Sequence, residues 1–112
     1  MARLLAARDE ALLLTEDSTG VVCGLVHVSV YDTPARPTMV PRRRAHIDDL
    51  VVAARVRRRG IGRALVAAAS DWARTKGAIE ILLTVWAGND AAEQFYAALG
   101  FAPLSQVMRR SL

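Results

Sequence analysis

The stretch Val52–Leu65 reads V-A-A-R-V-R-R-R-G-I-G-R-A-L and joins a strand to a helix through a turn of arginines and glycines. Just before it, Ala45–Val52 is a mostly apolar run of strand length. After it, Ile61, Leu65, Ala69 and Trp72 recur on one helical face, and Gly77 follows as a stop. That spacing predicts a helix from about Gly60 to Lys76. A strand, a Gly-bearing turn and a helix in that order turn backbone N–H groups and the positive end of a helix dipole toward an anion, a phosphate above all. Gly60 and Gly62 remove the side chains that would keep such an anion from the backbone. Taken alone, Gly-x-Gly fits an ordinary strand-to-helix turn equally well.

The flanks extend the pattern. Ile79–Trp86 (I-E-I-L-L-T-V-W) is nearly all apolar and reads as a second buried strand. With the helix between, it implies a right-handed parallel crossover. Asn89 is a good N-cap for a helix Asp90–Leu99, with Asp90 and Glu93 in its first turn; Gly100 stops it and Pro103 prevents a restart. Leu104–Arg110 is expected to be a last strand. On the other side, Ala11–Thr15 and Val21–Tyr31 form a hairpin across Asp17-Ser18-Thr19-Gly20. Asp32–Arg44 carries Pro34, Pro37, Pro41 and three consecutive arginines, which fits a long exposed loop whose arginines are a solvated face or, as the lesser reading, a phosphate contact. Arg3–Arg8 is short, rich in Ala and Leu, and expected to be helical. The order gives a single α+β domain over residues 1–112, a mixed sheet with a parallel strand pair at its centre.

A chain of 112 residues, 53% hydrophobic, can bury one real core and is not disordered. Its formal charge of +4 is carried almost wholly by arginine, since Lys76 is the only lysine. An anionic partner follows: a nucleotide, a nucleic acid or an acidic surface. Cys23 stands alone, so it forms no disulfide within the chain, offers no cysteine-based zinc site, and reads as a small buried residue. No metal site is expected. No run is long enough to span a membrane, and Arg3, Arg8, Asp9 and Glu10 interrupt the N-terminal apolar stretch too early for a signal peptide, so a cytoplasmic protein is expected.

Arg57-x-x-Gly60-x-Gly62 matches the acetyl-CoA signature R/Q-x-x-G-x-G/A of the GNAT N-acetyltransferase family. Leu83-x-Val85-x-x-x-Asn89-x-x-Ala92-x-x-Phe95-Tyr96-x-x-Leu99-Gly100-Phe101 matches that family's second pattern. The two occur in the right order on the right elements, and the second half of the chain, Ile47–Phe101, resembles the family throughout. The resemblance implies a GNAT-like fold with acetyl-CoA as cosubstrate and an amine, small molecule or peptide, as acceptor. Amides around Arg57, Arg58, Arg59, Gly60, Ile61, Gly62 and Arg63 would hold the pyrophosphate. The pantetheine arm would pair with the strand end Leu50-Val51-Val52, where the parallel strands part. Asn89, Ala92, Phe95 and Tyr96 would line the coenzyme from the second helix. Family members usually begin with a strand and one or two helices that wall the amine site. Here there is room only for Arg3–Arg8, so that first strand and most of that wall are expected to be missing: the chain is truncated, another subunit of a homodimer supplies the surface, or the pocket is unusually open.

Tyr96 stands where relatives carry a tyrosine that protonates the leaving thiolate; its other reading is a core tyrosine beside Phe95. An alkyl ammonium must lose a proton before it can attack. Some relatives place a glutamate on the central strand for this, at a position that counts back to His46, and histidine titrates near neutrality. By strand alternation Asp48 shares a face with His46, while Asp49 points the other way. For His46 and Asp48 a strand-end or salt-bridged role competes with catalysis, and ordered water can serve instead. His27 reads as structural and Trp72 as core, and Trp86 walls the substrate or packs. The alternative function is an acyl-CoA-binding or interaction module of the same fold. Nucleic-acid binding through the arginines explains the charge but not the Asn89–Phe101 pattern.

Overall fold

The computed structural model describes residues 2–38 and 40–112. Five strands, β1 (Ala2–Ala6), β2 (Glu10–Glu16), β3 (Val22–Asp32), β4 (Arg43–Val52) and β5 (Glu80–Leu82), form one sheet in sequence order. β1 to β4 run antiparallel, and β4 pairs with β5 in parallel. Two helices, α1 (Ile61–Thr75) and α2 (Asp90–Ala98), complete the expected α+β architecture.

Alternation along β3 decides what is core. Val26, Val28 and Val30 are buried, while Leu25, His27 and Ser29 are half-buried on the opposite face. α1 lays Leu65, Val66, Ala69, Trp72 and Ala73 on the valine face, together with Ala11, Leu13, Ala45 and Ile47. Tyr96, Leu99 and Phe101 pack against the same cluster. Both helices therefore lie on one side of the sheet, and among the described residues no helix covers the other. Gly24 makes the contact close: a Cβ there would meet Ile61 Cγ2 and Leu65 Cδ1, each at 3.0 Å.

Four expectations change. The segment read as a helix at Arg3–Arg8 is the edge strand β1, with Leu4 opposite Leu13 and Ala6 opposite Ala11. Six residues cannot repay helix nucleation, whereas an adjacent strand offers a ready ladder. A strand thus precedes the hairpin, and among the described residues no helix does. Ile79–Trp86 is strand only at Glu80–Leu82, because β4 and the chain after Leu82 part. Leu104–Arg110 forms no ladder and is exposed, so the parallel pair ends the sheet rather than occupying its middle. Finally, β4 begins at Arg43, and its arginines are tied down. Arg43 donates to Lys76 O at 2.7 Å and reaches Asp32 and Asp9 at 3.2 and 3.3 Å, and Arg44 pairs with Glu80.

Candidate functional site

The site is built where β4 outruns β5. The parallel ladder has rungs at Arg44–Glu80, Ala45–Ile81 and His46–Leu82, and it ends there, while β4 continues to Val52. On its other edge β4 stays paired with β3, Leu50 opposite Val26, Val51 opposite Leu25 and Val52 opposite Gly24. From Ile47 to Val52 no strand among the described residues pairs with the edge of β4 that faces away from β3, and only Val52 O is engaged there, by Arg57 Nε. The edge can accept an extended ligand as an added strand.

That edge leads into the turn. Ala54–Val56 makes one 3₁₀ turn, with Val56 buried and Arg57 extended after it. Arg58 then takes φ +66° and Gly60 φ +78°, both left-handed. A turn with such left-handed residues can direct successive N–H groups into one concavity, a backbone nest for anions. Gly60 is the N-cap of α1 and has no side chain to satisfy the first turn, which also lacks an acid. Ala64 N makes the first intrahelical bond, to Gly60 O at 3.0 Å, so the amides of Ile61, Gly62 and Arg63 have no acceptor within the helix. Arg57, Arg58, Arg59 and Arg63 are exposed, and among the described residues none forms an ion pair. Only Arg57 is held, Nε to Val52 O at 3.4 Å.

α2 flanks the turn. Asn89 Oδ1 accepts from Ala92 N at 3.2 Å, the expected cap, and Asn89 Nδ2 remains available. The Phe95 ring lies against the start of α1: a Cβ on Gly62 would be 3.2 Å from Phe95 Cζ and 3.7 Å from Val52 Cγ2. Gly62 is thus also a packing glycine, a constraint invisible in the motif. Tyr96 is half-buried between Phe95 and Phe101, edge-to-face with both at 5.0 and 5.6 Å. Burial pushes its phenol above the usual value, so it holds its proton at neutral pH. Trp72 is core, as expected, and Trp86 is 85% exposed beyond the end of β5.

The other face of the sheet carries a polar cluster. His27 faces Asp49 across the strands, and Val28 faces Ile47, so Asp48 is an extra residue, a β-bulge. The bulge breaks the alternation assumed from the sequence. Asp48 and Asp49 both lie on the His27 side, within 3.7 and 3.9 Å of its Nδ1. Asp49 therefore does not point away, as strand alternation predicts. Asp48 bonds His46 Nδ1 at 2.9 Å through Oδ1 and accepts from Ser29 Oγ at 2.9 Å through Oδ2. His27 and Ser29 join the site unannounced. The V-H-V-S-V alternation places them on one face, but nothing in the sequence marks the bulge that brings Asp49 to them. A shallow concavity of about 690 Å³ adjoins, floored by Leu12, Leu25 and Val51 and edged by Glu10, His27 and Asp49. Tyr96 makes no hydrogen bond or ion pair with this cluster; it belongs to the helix side. Among the described residues no group of His, Cys, Asp and Glu is arranged to hold a metal, and no helix is long and apolar enough to cross a membrane.

A family model for the GNAT acetyltransferases matches residues 2–101. The aminoglycoside N(6')-acetyltransferase type 1 of Klebsiella aerogenes is 31% identical over 101 residues, which are 90% of this chain and 65% of that protein. A variant of the BH1408 protein of Bacillus halodurans superposes with a TM-score of 0.87 at 30% identity, over 93% of this chain and 66% of the other. AAC(6')-Iy, in complex with the bisubstrate analog CoA-S-monomethyl-acetylneamine, has the same fold at a TM-score of 0.80 and 22% identity, over 95% of this chain and 71% of that one. The chain thus spans just under two thirds of the length of the Klebsiella and Bacillus relatives.

Proposed function

The chain belongs to the GNAT acetyltransferase family, and from that premise we propose that it transfers an acetyl group from acetyl-CoA to a primary amine by direct attack. The observation that carries this reading is the continuity of one binding track. The free edge of β4 at Leu50–Val52 runs into the left-handed turn at Arg58 and Gly60 and on to the open amides of α1. A long ligand with an amide-bearing arm and a pyrophosphate fits that order of groups. Arg57, Arg58, Arg59 and Arg63 supply positive charge to its phosphates, and Asn89, Ala92 and Phe95 border it from α2.

In this reading Tyr96 donates a proton to the departing sulfur, and a base on the β4 bulge, His46 or Asp48, takes one from the ammonium. The Klebsiella relative is an aminoglycoside acetyltransferase, which makes neamine the first amine to try. The test is calorimetric titration with acetyl-CoA and, in parallel, desulfo-CoA, followed by a thiol-release assay with an amine panel. Micromolar binding of both ligands and amine-dependent thiol release are expected. A folded chain that binds neither ligand would sink the reading.

The alternative, a coenzyme-binding or interaction module of the same fold, draws on one observation. The sheet face that carries His46 is uncovered among the described residues, with Val51 54% exposed. Binding without release, against every amine tried, would favour it.

A further inference from the structure

The polar cluster on the open face has an internal order that distinguishes its members. Asp48 has two carboxylate oxygens with different partners, His46 Nδ1 on Oδ1 and Ser29 Oγ on Oδ2, each at 2.9 Å. A carboxylate only accepts, so His46 must donate from Nδ1 and Ser29 from its hydroxyl. The neutral imidazole is thereby fixed with its lone pair on Nε2. The His46 side chain is 32% exposed, and His46 sits on the last rung before β4 and β5 part. His27 competes for Asp48 only from 3.7 Å, beyond hydrogen-bond range, and its own Nε2 lies 3.7 Å from Glu10. Asp49 and the Arg44–Glu80 pair are further charged groups among the described residues of this face.

We infer that Ser29, Asp48 and His46 form an oriented relay in which His46 Nε2 is the base that deprotonates the acceptor amine, with Asp48 and Ser29 as positioning residues. The inference rests on the acetyltransferase reading and resolves its base. The ammonium gives one proton to Nε2 and becomes a neutral amine. The nitrogen lone pair then forms the new C–N bond at the thioester carbon. As the C–S bond breaks, its electron pair goes to sulfur, which takes the Tyr96 proton. The phenolate recovers the second proton lost by nitrogen, and His46 releases the first to water. The Asp48 carboxylate stays ionised throughout and stabilises the imidazolium that forms. Strand alternation already sets Asp48 on the face of His46 and Ser29, and the bulge adds Asp49 to it.

The test has two arms on the full chain. Nitrogen-15 NMR of the imidazoles reads the tautomer directly, with or without activity. His46 is expected as the Nδ1–H form; Asp48→Ala should return it to the Nε2–H form that free imidazole prefers. Ser29→Ala should mix the two, and Ser29→Thr should restore the first. In the kinetic arm, with acetyl-CoA and neamine, His46→Gln is expected to lower kcat about a hundredfold and remove the acidic limb of the pH–rate profile. Ser29→Ala should lower kcat about tenfold at unchanged acetyl-CoA KM, the worth of one hydrogen bond to a charged group. An Nε2–H His46 in the unmodified chain, or a tautomer indifferent to Asp48, overturns the relay. A correct tautomer in a chain that binds no acetyl-CoA would instead overturn the acetyltransferase reading and the base role with it.

Discussion

At Gly60 the backbone is left-handed and nothing lies within 4 Å of where a Cβ would stand, while at Gly62 a Cβ would press on Phe95. The two glycines of one motif therefore fail differently. Gly60→Asp is expected to abolish coenzyme binding, through charge at the anion site and strain at φ +78°, with the fold retained; titration alongside circular dichroism checks both. Gly62→Ala should cost stability, about 1 kcal/mol by denaturant melts, because Phe95 must move. Tyr96→Phe should lower turnover about a hundredfold and leave the acetyl-CoA affinity unchanged. Because burial raises the phenol, activity that depends on its proton should persist beyond the pH near 10 where a free tyrosine ionises. Asp17 shifts the opposite way. Bonds from the Thr19 hydroxyl, the Thr19 and Val21 amides and Arg55 hold its carboxyl far below the usual carboxylate range. A depressed value adds stability above the unfolded pKa near 3.8 that is lost as pH falls toward the folded one. Asp17→Asn should therefore be less stable than the parent near pH 6, and the gap should close in strong acid melts.

Among the elements, α1, α2 and the β2–β3 hairpin were legible because each carries its own signal: a helical stripe, an N-cap with a glycine stop, a strand alternation with a turn. β1 and the limits of β5 were not, because a strand exists only where a partner is, and pairing is not local. Ala-Leu-rich Arg3–Ala6 has no fixed preference until β2 offers its edge. Ile79–Trp86 has strand composition throughout, yet the ladder ends at Leu82. The bulge at Asp48 is the most consequential omission, since one unpaired residue moved Asp49 to the other face. The packing of α1 on β3 hinges on Gly24, with two side-chain atoms 3.0 Å from a hypothetical Cβ. Gly24→Ala is expected to destabilise by about 1–3 kcal/mol, measured by urea unfolding, and Gly20→Ala to act only through its φ of +86°.

Taken whole, the molecule is extended for its size, with a radius of gyration of 15.7 Å against about 13 Å for a compact domain of 100 residues. Its positive charge is distributed unevenly. Arg43, Arg44 and Arg55 are bound to carboxylates, whereas the arginines around the phosphate turn are free among the described residues. Coenzyme affinity should accordingly fall as salt is raised. Each exposed contact is worth about 0.2–1 kcal/mol, so Arg59→Ala should weaken binding no more than about fivefold by calorimetry. The turn before α1 was thus legible in sequence, where the motif fixes local backbone, and so was the pairing of His46 with Asp48. The place of Asp49, which depends on a bulge, was not. The early parting of β4 from β5 has a consequence for solvent. The Ile47–Val52 amides that face the gap should exchange their hydrogens for deuterium quickly in the free protein, though they lie in a strand whose other edge is locked. Bound acetyl-CoA should slow those amides alone, leaving their β3-facing neighbours at their original pace.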